Sequence, residues 1–306
     1  MKKILLSFLF AISAQALFAQ AAGINKADRQ YTKYAYIDAT ETYERIVAKG
    51  YKSPEVLSKL ANSYYFNSQF DKAANWYGEL FAMTNDVEAE LFYRYAQSLK
   101  AIGNYAKSDD MMKAFTAKNQ EDLRGKNYSE KPDYMAVIKA NSGRYEIGDA
   151  GVNTEYSDYG SNVHNGRLYF TSARDTGNFV KRVHKWSNQY FTNIWSAEIT
   201  ADSTGTPKRF ERGINTRFHE ATPVFSSDGN TMYFTRNNFT DGKKGKSKER
   251  ITYLKIYKAA KVVKDSVETW ENVAELPFNS NEYQTAHPAL SADGKWLYFA
   301  SDMPGG

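Results

Sequence analysis

The residue types that could perform chemistry occur in this chain at spacings that favour no catalytic centre. The segment from Asp241 to Lys248 is rich in Gly and Lys, as phosphate-binding loops are. Thr240 stands where such a loop needs its first Gly, and the segment opens no helical pattern. We therefore expect a solvated hairpin tip there, with contact to an anionic partner as the alternative.

The remaining candidates for catalysis or metal binding also fail on spacing. The chain has no Cys and no Gly-x-Ser-x-Gly elbow, which removes thiol chemistry and disfavours a propeller-bearing peptidase. Turns of the Ser-x-Asp-Gly type lack the dense oxygen ligands of a calcium loop. The four histidines stand at no metal-ligand spacing: His164, His184, His219 and His287. The sequence predicts a protein that is not an enzyme and has no cofactor and no metal.

A block of about 65 residues recurs in the C-terminal half, and it predicts β-structure. Ala221–Thr235 and Ala286–Ala300 each read as a strand, an Asp-Gly turn and an aromatic strand. A degenerate first copy, with an Asn-Gly turn, is Asn165–Ser172. Further strands follow each hairpin, so each unit is expected to contain about four strands, as a propeller blade does.

The N-terminal third has helical periodicity with its own repeat. Apolar residues recur at spacings of three and four between Tyr34 and Asn119, and the pattern returns after 34 or 35 residues. Small residues such as Ala61 and Ala96 would let paired helices approach closely. This region resembles the tetratricopeptide repeat, and about two and a half copies are expected.

The tetratricopeptide resemblance implies a groove, lined by the first helix of each repeat, that binds an extended peptide. An ordinary solvated helix face is the alternative. Residue-by-residue transfer places six aromatic, amide or charged side chains in this groove: Ser58, Asn62, Tyr65, Tyr93, Gln97 and Lys100. The set lacks the several Lys and Arg residues of a carboxylate-capturing clamp.

Composition and patterning predict the domain organisation and an exported protein. Residues 1–19 have the charged start, short apolar run and small residue of a signal peptide. Residues 30–120 are expected to form the helical domain, 121–144 a linker and 145–306 the β-domain. The formal net charge of +5 is too small for a nucleic-acid-binding protein. Aromatic residues make up 15% of the chain, which suits aromatic β-strands or a recognition surface.

The motif Pro-x-x-Ser-x-Asp-Gly followed by Tyr-Phe, at Pro223 and again at Pro288, resembles the TolB-type, WD-repeat-like propeller. With the helical repeats, the chain is similar to the OmpA-family envelope proteins of Bacteroidetes, and its layout is PorE-like. The fold class expected is therefore multidomain, with an N-terminal tetratricopeptide-like α-solenoid followed by an incomplete all-β propeller of about three blades. A closed ring needs at least four blades, so the chain is expected to be truncated before an OmpA-like C-terminal domain.

The resemblance implies a non-enzymatic interaction scaffold on the periplasmic side of the outer membrane, in a type IX secretion or gliding assembly. Its partners would be envelope proteins, with peptidoglycan bound only through the absent domain, and no nucleic acid. Two alternatives remain from the sequence. One is a truncated propeller-bearing hydrolase, and the other is a glycan-binding module built on exposed Trp186, Tyr190 and Trp195.

Overall fold

The computed structural model describes residues 21–130, 134–174, 177, 182–201, 203–211 and 213–305. They fall into two compact units. The first, the helical unit, comprises Met1–Glu146 and Lys185–Asn188, and the second, the β unit, comprises Ile147–His184 and Gln189–Gly306. The predicted signal peptide, residues 1–19, lies outside the described residues. No helix in the described ranges is long and apolar enough to cross a membrane.

The described part of the helical unit is a series of helices, and from α2 to α7 each one packs against the next. The helices are α1 (residues 21–32), α2 (Tyr36–Ala48), α3 (Pro54–Tyr65), α4 (Phe70–Met83), α5 (Ala89–Ala101), α6 (Tyr105–Lys118), α7 (Leu123–Glu130) and α8 (Tyr134–Asn141). Ser53 begins α3 by accepting a hydrogen bond from the Val56 amide, and Pro54 follows at the first helical position. The result is a helical repeat-like region with three complete helical hairpins.

Small residues at the repeat spacing allow these helices to pack closely. Ala27 on α1, Ala61 on α3 and Ala96 on α5 are all fully buried. Ala27 lies 34 residues before Ala61, so α1 has the position of a first helix in the repeat. The sequence indicated only the second helix of this copy, which is α2. The expected half copy is therefore a whole helical hairpin, α1–α2.

The segment 121–144, expected to be a linker, contains the two short helices α7 and α8. On α7, Gly125 lies against Thr116 of α6, where an added Cβ would come within 3.0 Å of the threonine hydroxyl. Tyr128 packs against the cluster around Phe115. These contacts explain why a segment without apolar periodicity is helical, because α7 is stabilised by α6 and not by its own pattern.

The described residues of the β unit form two four-stranded antiparallel sheets and two hairpins. The first sheet has the order β1-β2-β3-β4, and the second has the order β10-β9-β6-β5. The strands are β1 (Asp158–His164), β2 (Arg167–Ser172), β3 (Asn193–Glu198), β4 (Lys208–Arg209), β5 (Glu220–Phe225), β6 (Thr231–Asn237), β7 (Phe239–Thr240), β8 (Lys243–Lys244), β9 (Leu254–Lys264), β10 (Val267–Glu275), β11 (Thr285–Leu290) and β12 (Leu297–Ser301). The hairpin β7–β8 confirms the tip expected for the lysine-rich segment, and β11–β12 is the third copy of the repeat.

A bulge in the first strand of each copy links successive copies. Gly160, Thr222 and His287 have positive φ angles of 60°, 49° and 56°, and the strand register shifts at each of them. The Thr222 amide donates to Thr171 Oγ1 of the preceding sheet at 2.8 Å. The His287 amide donates to Thr235 Oγ1 in the same way at 2.9 Å. The repeat of about 65 residues is therefore the distance along the sequence from one of these amide-to-threonine links to the next.

His219 is packed inside the β unit by a hydrogen bond and a ring contact. His219 Nδ1 accepts a hydrogen bond from the Thr192 amide at 3.1 Å, and its ring lies 4.6 Å from that of His184. Burial, followed by the neighbouring His184, lowers the pKa of His219 to about 3. Within the described ranges, no group of three or more His, Asp or Glu side chains could hold a metal ion.

Acidification is expected to destabilise the β unit through His219. Its folded pKa lies below the unfolded value near 6.5, so this contribution to stability is complete above pH 6.5 and is lost as the pH falls toward 3. Between pH 7.5 and 5 the free energy of unfolding should fall by about 2 kcal/mol. Urea unfolding at pH 7.5 and at pH 5, monitored by amide hydrogen exchange in β3 and β5, measures this loss of stability.

The variant His219→Asn separates this histidine from the other titrating groups. The asparagine oxygen can accept the Thr192 amide hydrogen but does not titrate. The pH-dependent loss should therefore shrink in the variant. An unchanged loss would assign the pH dependence to other groups, including His184, whose pKa burial also lowers.

Candidate protein-binding groove

The helical unit has an open groove along the first helices of its repeats, which we call the α1/α3/α5 groove. Its volume is about 430 Å³. It lies between α1, α3 and the start of α5. The lining residues are Tyr31, Pro54, Glu55, Ser58, Lys59, Asn62, Val87, Glu88 and Leu91.

The floor of the groove is a hydrogen-bonded chain of polar side chains. The Asn62 side-chain amide donates to the Tyr31 hydroxyl at 3.1 Å, and the Tyr77 hydroxyl donates to Asn62 Oδ1 at 2.6 Å. Asn62 is buried, and burial raises the pKa of both Tyr31 and Tyr77, so both phenols stay protonated. Because its hydrogen bonds are satisfied internally, Asn62 fixes the shape of the floor.

The charged rim of the groove is predominantly acidic. Lys59 Nζ lies 2.9 Å from Asp28 and 2.6 Å from Glu55. Burial opposes the charge of Lys59, but its hydrogen bonds to Glu55 and Asp28 outweigh that effect and raise its pKa. Glu88, just before α5, is exposed and caps no helix amide with its side chain. The groove lining thus carries two carboxylates, Glu55 and Glu88, and one ammonium group, Lys59, which Asp28 also neutralises.

The groove also has an apolar part. Pro54 begins α3, while Val87 and Leu91 flank the start of α5. Leu91 is buried and Val87 is half-buried, so the lining of the groove is partly hydrophobic. This combination suits a segment that presents a positive charge next to an apolar side chain.

Two of the six predicted groove residues, Ser58 and Asn62, line this groove. The other four do not: Tyr65, Tyr93, Gln97 and Lys100. The Arg124 guanidinium lies 4.2 Å from the Tyr93 ring, and the Lys100 ammonium lies 3.9 Å from the Tyr134 ring. Because Arg124 and Tyr134 belong to α7 and α8, the helices missed in the expected linker cover Tyr93 and Lys100.

Sequence reasoning missed Asp28, Tyr31, Lys59 and the two rim glutamates. The signal for the first two was present, since Asp28 and Tyr31 stand 34 residues before Asn62 and Tyr65. Both residues precede Tyr34, where the helical periodicity of the sequence begins. Lys59 and Glu55 fall outside the transferred repeat positions, so only their geometry reveals them.

The aromatic residues considered for glycan binding are packed and not free. Trp186 Nε1 donates to the Phe66 carbonyl at 3.0 Å, and its ring stacks on Tyr34 with centroids 5.9 Å apart. Trp195 is half-buried, with the Arg174 guanidinium 5.1 Å from its ring. Tyr190 is half-buried against the Tyr156 ring. These contacts agree with packing, the interpretation that the sequence favours for these residues, and not with an exposed glycan platform.

No protein-family model and no curated protein matches the chain. Among solved structures, the chain is similar to the C-terminal part of a TPR repeat-containing protein from Cytophaga hutchinsonii, with 22% identity and a TM-score of 0.34. That similarity covers 37% of this chain and 44% of the Cytophaga chain. The Sgt2 TPR domain from Aspergillus fumigatus is also similar, with 16% identity and a TM-score of 0.32, over 43% of this chain and 87% of that one.

Proposed function

We propose that this chain is a non-enzymatic interaction scaffold whose helical unit holds an extended peptide segment of another protein. The observation that supports the proposal most directly is the α1/α3/α5 groove, with its internally satisfied floor and open acidic rim. A groove of fixed shape loses little conformational entropy on binding, which favours a peptide ligand. The segment bound is one with a Lys or Arg beside an apolar residue.

The partner follows from the charges and apolar surface of the groove. A Lys or Arg of the peptide would lie between Glu55 and Glu88, while its apolar neighbour would cover Val87 and Leu91. Lys59 already pairs with Asp28 and Glu55, so Glu88 is the rim carboxylate expected to contribute most to holding the incoming cation. An acidic peptide would instead meet like charge on the rim and is expected to bind poorly.

A charge reversal at the rim tests this proposal. Glu88→Lys should weaken binding of a fluorescein-labelled peptide of alternating Lys and Leu by about tenfold, roughly 1.4 kcal/mol, measured by fluorescence polarisation. Glu88→Gln, which removes the charge without reversing it, should weaken it less. The loss should shrink at high salt, because the rim is exposed.

Glu41→Lys is the matched control for this experiment. Glu41 is an exposed glutamate on α2, outside the groove, so its reversal changes the net charge equally. Equal weakening by Glu41→Lys and Glu88→Lys would mean non-specific attraction to an acidic surface. If the unmodified chain does not bind the Lys-Leu peptide, the proposal is wrong.

For the β unit we infer that the three copies are blades of a TolB-type, WD-repeat-like propeller. Support comes from the two four-stranded antiparallel sheets, the third hairpin with the same turn and the repeated amide-to-threonine link. The surroundings we propose are the periplasm and the outer membrane, with envelope proteins as partners and a secretion or gliding assembly as the setting. This setting rests on the sequence resemblance. Fractionation of cells expressing a tagged chain would test it, and recovery in the cytoplasm would contradict it.

A further inference from the structure

Four cationic side chains lie together on the β unit, and we call their surface the basic patch: Arg217, Lys243, Lys244 and Lys246. Lys243 and Lys244 form β8, while Lys246 follows that strand. Arg217 precedes β5, and all four residues are exposed. The Arg217 guanidinium and the Lys244 ammonium each lie 5.3 Å from the centroid of the Phe218 ring. Two segments that are distant in the sequence therefore bring cations to one aromatic ring.

Like charges lie side by side in the basic patch. Partial burial, followed by the nearby charges of Lys246 and Arg217, lowers the pKa of Lys244. The acidic residues of the same segment, Asp241 and Glu249, are exposed. Among the described residues, no carboxylate forms an ion pair with any of the four cations. Repulsion between unpaired cations raises the free energy of the folded chain, and an anionic partner would remove that cost.

The hairpin β7–β8 that carries the lysines is anchored to the rest of the β unit. The Thr240 hydroxyl donates to Glu275 Oε1 at 3.1 Å, and the Asn238 side-chain amide donates to Asn281 Oδ1 at 2.7 Å. Gly245 packs so closely against Asn238 that an added Cβ would lie 2.3 Å from its amide nitrogen. These contacts position the cations before a partner arrives, so binding has little backbone to order.

The aromatic rings of the basic patch indicate which class of anion it suits. A single-stranded nucleic acid binds by stacking its bases on open ring faces. Here cations approach both rings, since Arg217 also lies 5.3 Å from the centroid of the Phe239 ring. The rings of Phe218 and Phe239 also pack on each other, with centroids 4.9 Å apart. Because the rings are engaged and the charges occupy several exposed positions, the patch suits successive carboxylates better than a stacked base.

We propose that the basic patch binds an acidic segment of a partner polypeptide, one with several Asp or Glu residues close together. One carboxylate lies between Arg217 and Lys244, where the guanidinium can donate two parallel hydrogen bonds. Neighbouring carboxylates of the segment reach Lys243 and Lys246. The proposal is independent of the α1/α3/α5 groove, which is proposed to hold a cationic segment, so either one can fail without the other.

Fluorescence polarisation with the full chain tests the proposal. The probe is a fluorescein-labelled peptide of alternating Glu and Ser, which supplies carboxylates without aromatic side chains. The double variant with Arg217→Gln and Lys244→Gln should bind this peptide about tenfold more weakly than the unmodified chain. Lys244→Arg keeps the charge and should retain the affinity. Binding should also weaken at high salt, because the patch is exposed.

The double variant with Lys208→Gln and Lys258→Gln is the matched control. These two lysines are exposed on β4 and β9, so the control removes the same charge from the same unit. Its affinity for the Glu-Ser peptide should change by less than about twofold. Equal weakening by the two double variants would overturn the proposal, because the attraction would then depend on net charge alone. So would a failure of the unmodified chain to bind the peptide.

A competition experiment distinguishes an acidic polypeptide from an acidic glycan. Unlabelled Glu-Ser peptide should displace the labelled peptide at a lower concentration than a sulfated oligosaccharide of equal charge does. The reverse order would overturn the proposal and assign the basic patch to an anionic polysaccharide.

Discussion

Replacing Arg236 with methionine is expected to reduce the free energy of unfolding of the β unit by about 3–5 kcal/mol. Arg236 is 5% exposed, and its Nε lies 3.2 Å from the carboxylate of Glu220, which is fully buried. One guanidinium nitrogen also donates to the Ile214 carbonyl at 2.6 Å. Without Arg236, the Glu220 carboxylate would keep its two hydrogen bonds from Thr216 and the smaller electrostatic attraction of Arg209. A buried charge without its partner is much costlier than the pair itself.

The loss caused by Arg236→Met should also grow with pH. Burial raises the pKa of Glu220 to about 7, even though Arg236 opposes the rise. In the variant the folded pKa of Glu220 lies higher still, above its unfolded value. The contribution of protonated Glu220 to the free energy of unfolding is then complete at acidic pH, and it is lost as the pH rises through the folded pKa. Urea unfolding at pH 6 and pH 8, followed by amide exchange in β5 and β6, measures both effects.

An exposed ion pair in the same unit provides the matched control. Arg167 lies 3.0 Å from Glu198, with these side chains 32% and 70% exposed, so Arg167→Met should cost less than about 1 kcal/mol. Adding Glu220→Gln to Arg236→Met should recover part of the loss, because the uncompensated charge is removed. Similar losses for Arg236→Met and Arg167→Met would show that burial of the pair has no energetic consequence.

The helical unit was predictable from sequence wherever local periodicity determines the packing. Fully buried Ala61 and Ala96 are the small residues that the repeat spacing indicated. The sequence did not predict the helices α1, α7 and α8. The physical reason is different for α1 and for α7. Helix α1 carries the repeat signal at Ala27 but lies beside the expected signal peptide. Helix α7 is stabilised by α6 through Gly125 and Tyr128, and such a tertiary contact leaves no periodic pattern.

The candidate site was predicted only in part because groove exposure depends on neighbouring helices. Ser58 and Asn62 line the groove, and neither lies under α7 or α8. Tyr93 and Lys100 have the same repeat spacing but are covered by Arg124 and Tyr134. A repeat position shows which face a residue occupies, whereas access to that face is set by elements far along the chain.

In the β unit, the turns were predictable and the links between copies were not. Asp228-Gly229 forms its turn with local hydrogen bonds from Ser226 and a positive φ at the glycine, so the motif suffices. The amide link from Thr222 to Thr171 joins residues of different copies. Its backbone donor is invisible in a sequence, although the threonine acceptor recurs at Thr235 and is replaced by Ala300 in the third copy.

Replacing Asn215 with alanine is the second change expected to have a large effect, about 2–4 kcal/mol, through buried backbone groups. Asn215 Oδ1 accepts from the Ile194 amide at 2.8 Å, and its Nδ2 donates to the carbonyls of Ile194 and Phe210 at 2.9 and 3.0 Å. Asn279 clamps Ile256 with the same pair of bonds, at 3.1 and 2.7 Å. The connection after each complete sheet is thus held to that sheet by one amide.

The repetition of the asparagine clamp makes its test specific. Asn215→Ala should speed amide exchange at Ile194 and leave Ile256 less affected, whereas Asn279→Ala should do the reverse. Asn141→Ala, at an exposed asparagine of α8 whose side chain donates to the Val137 carbonyl and accepts from Arg144, should change neither. If both clamp variants speed exchange equally at both isoleucines, the two sheets unfold as one cooperative unit and the clamps are not local. If neither does, water replaces the amide at no cost, and the asparagines serve only the turn that follows each sheet.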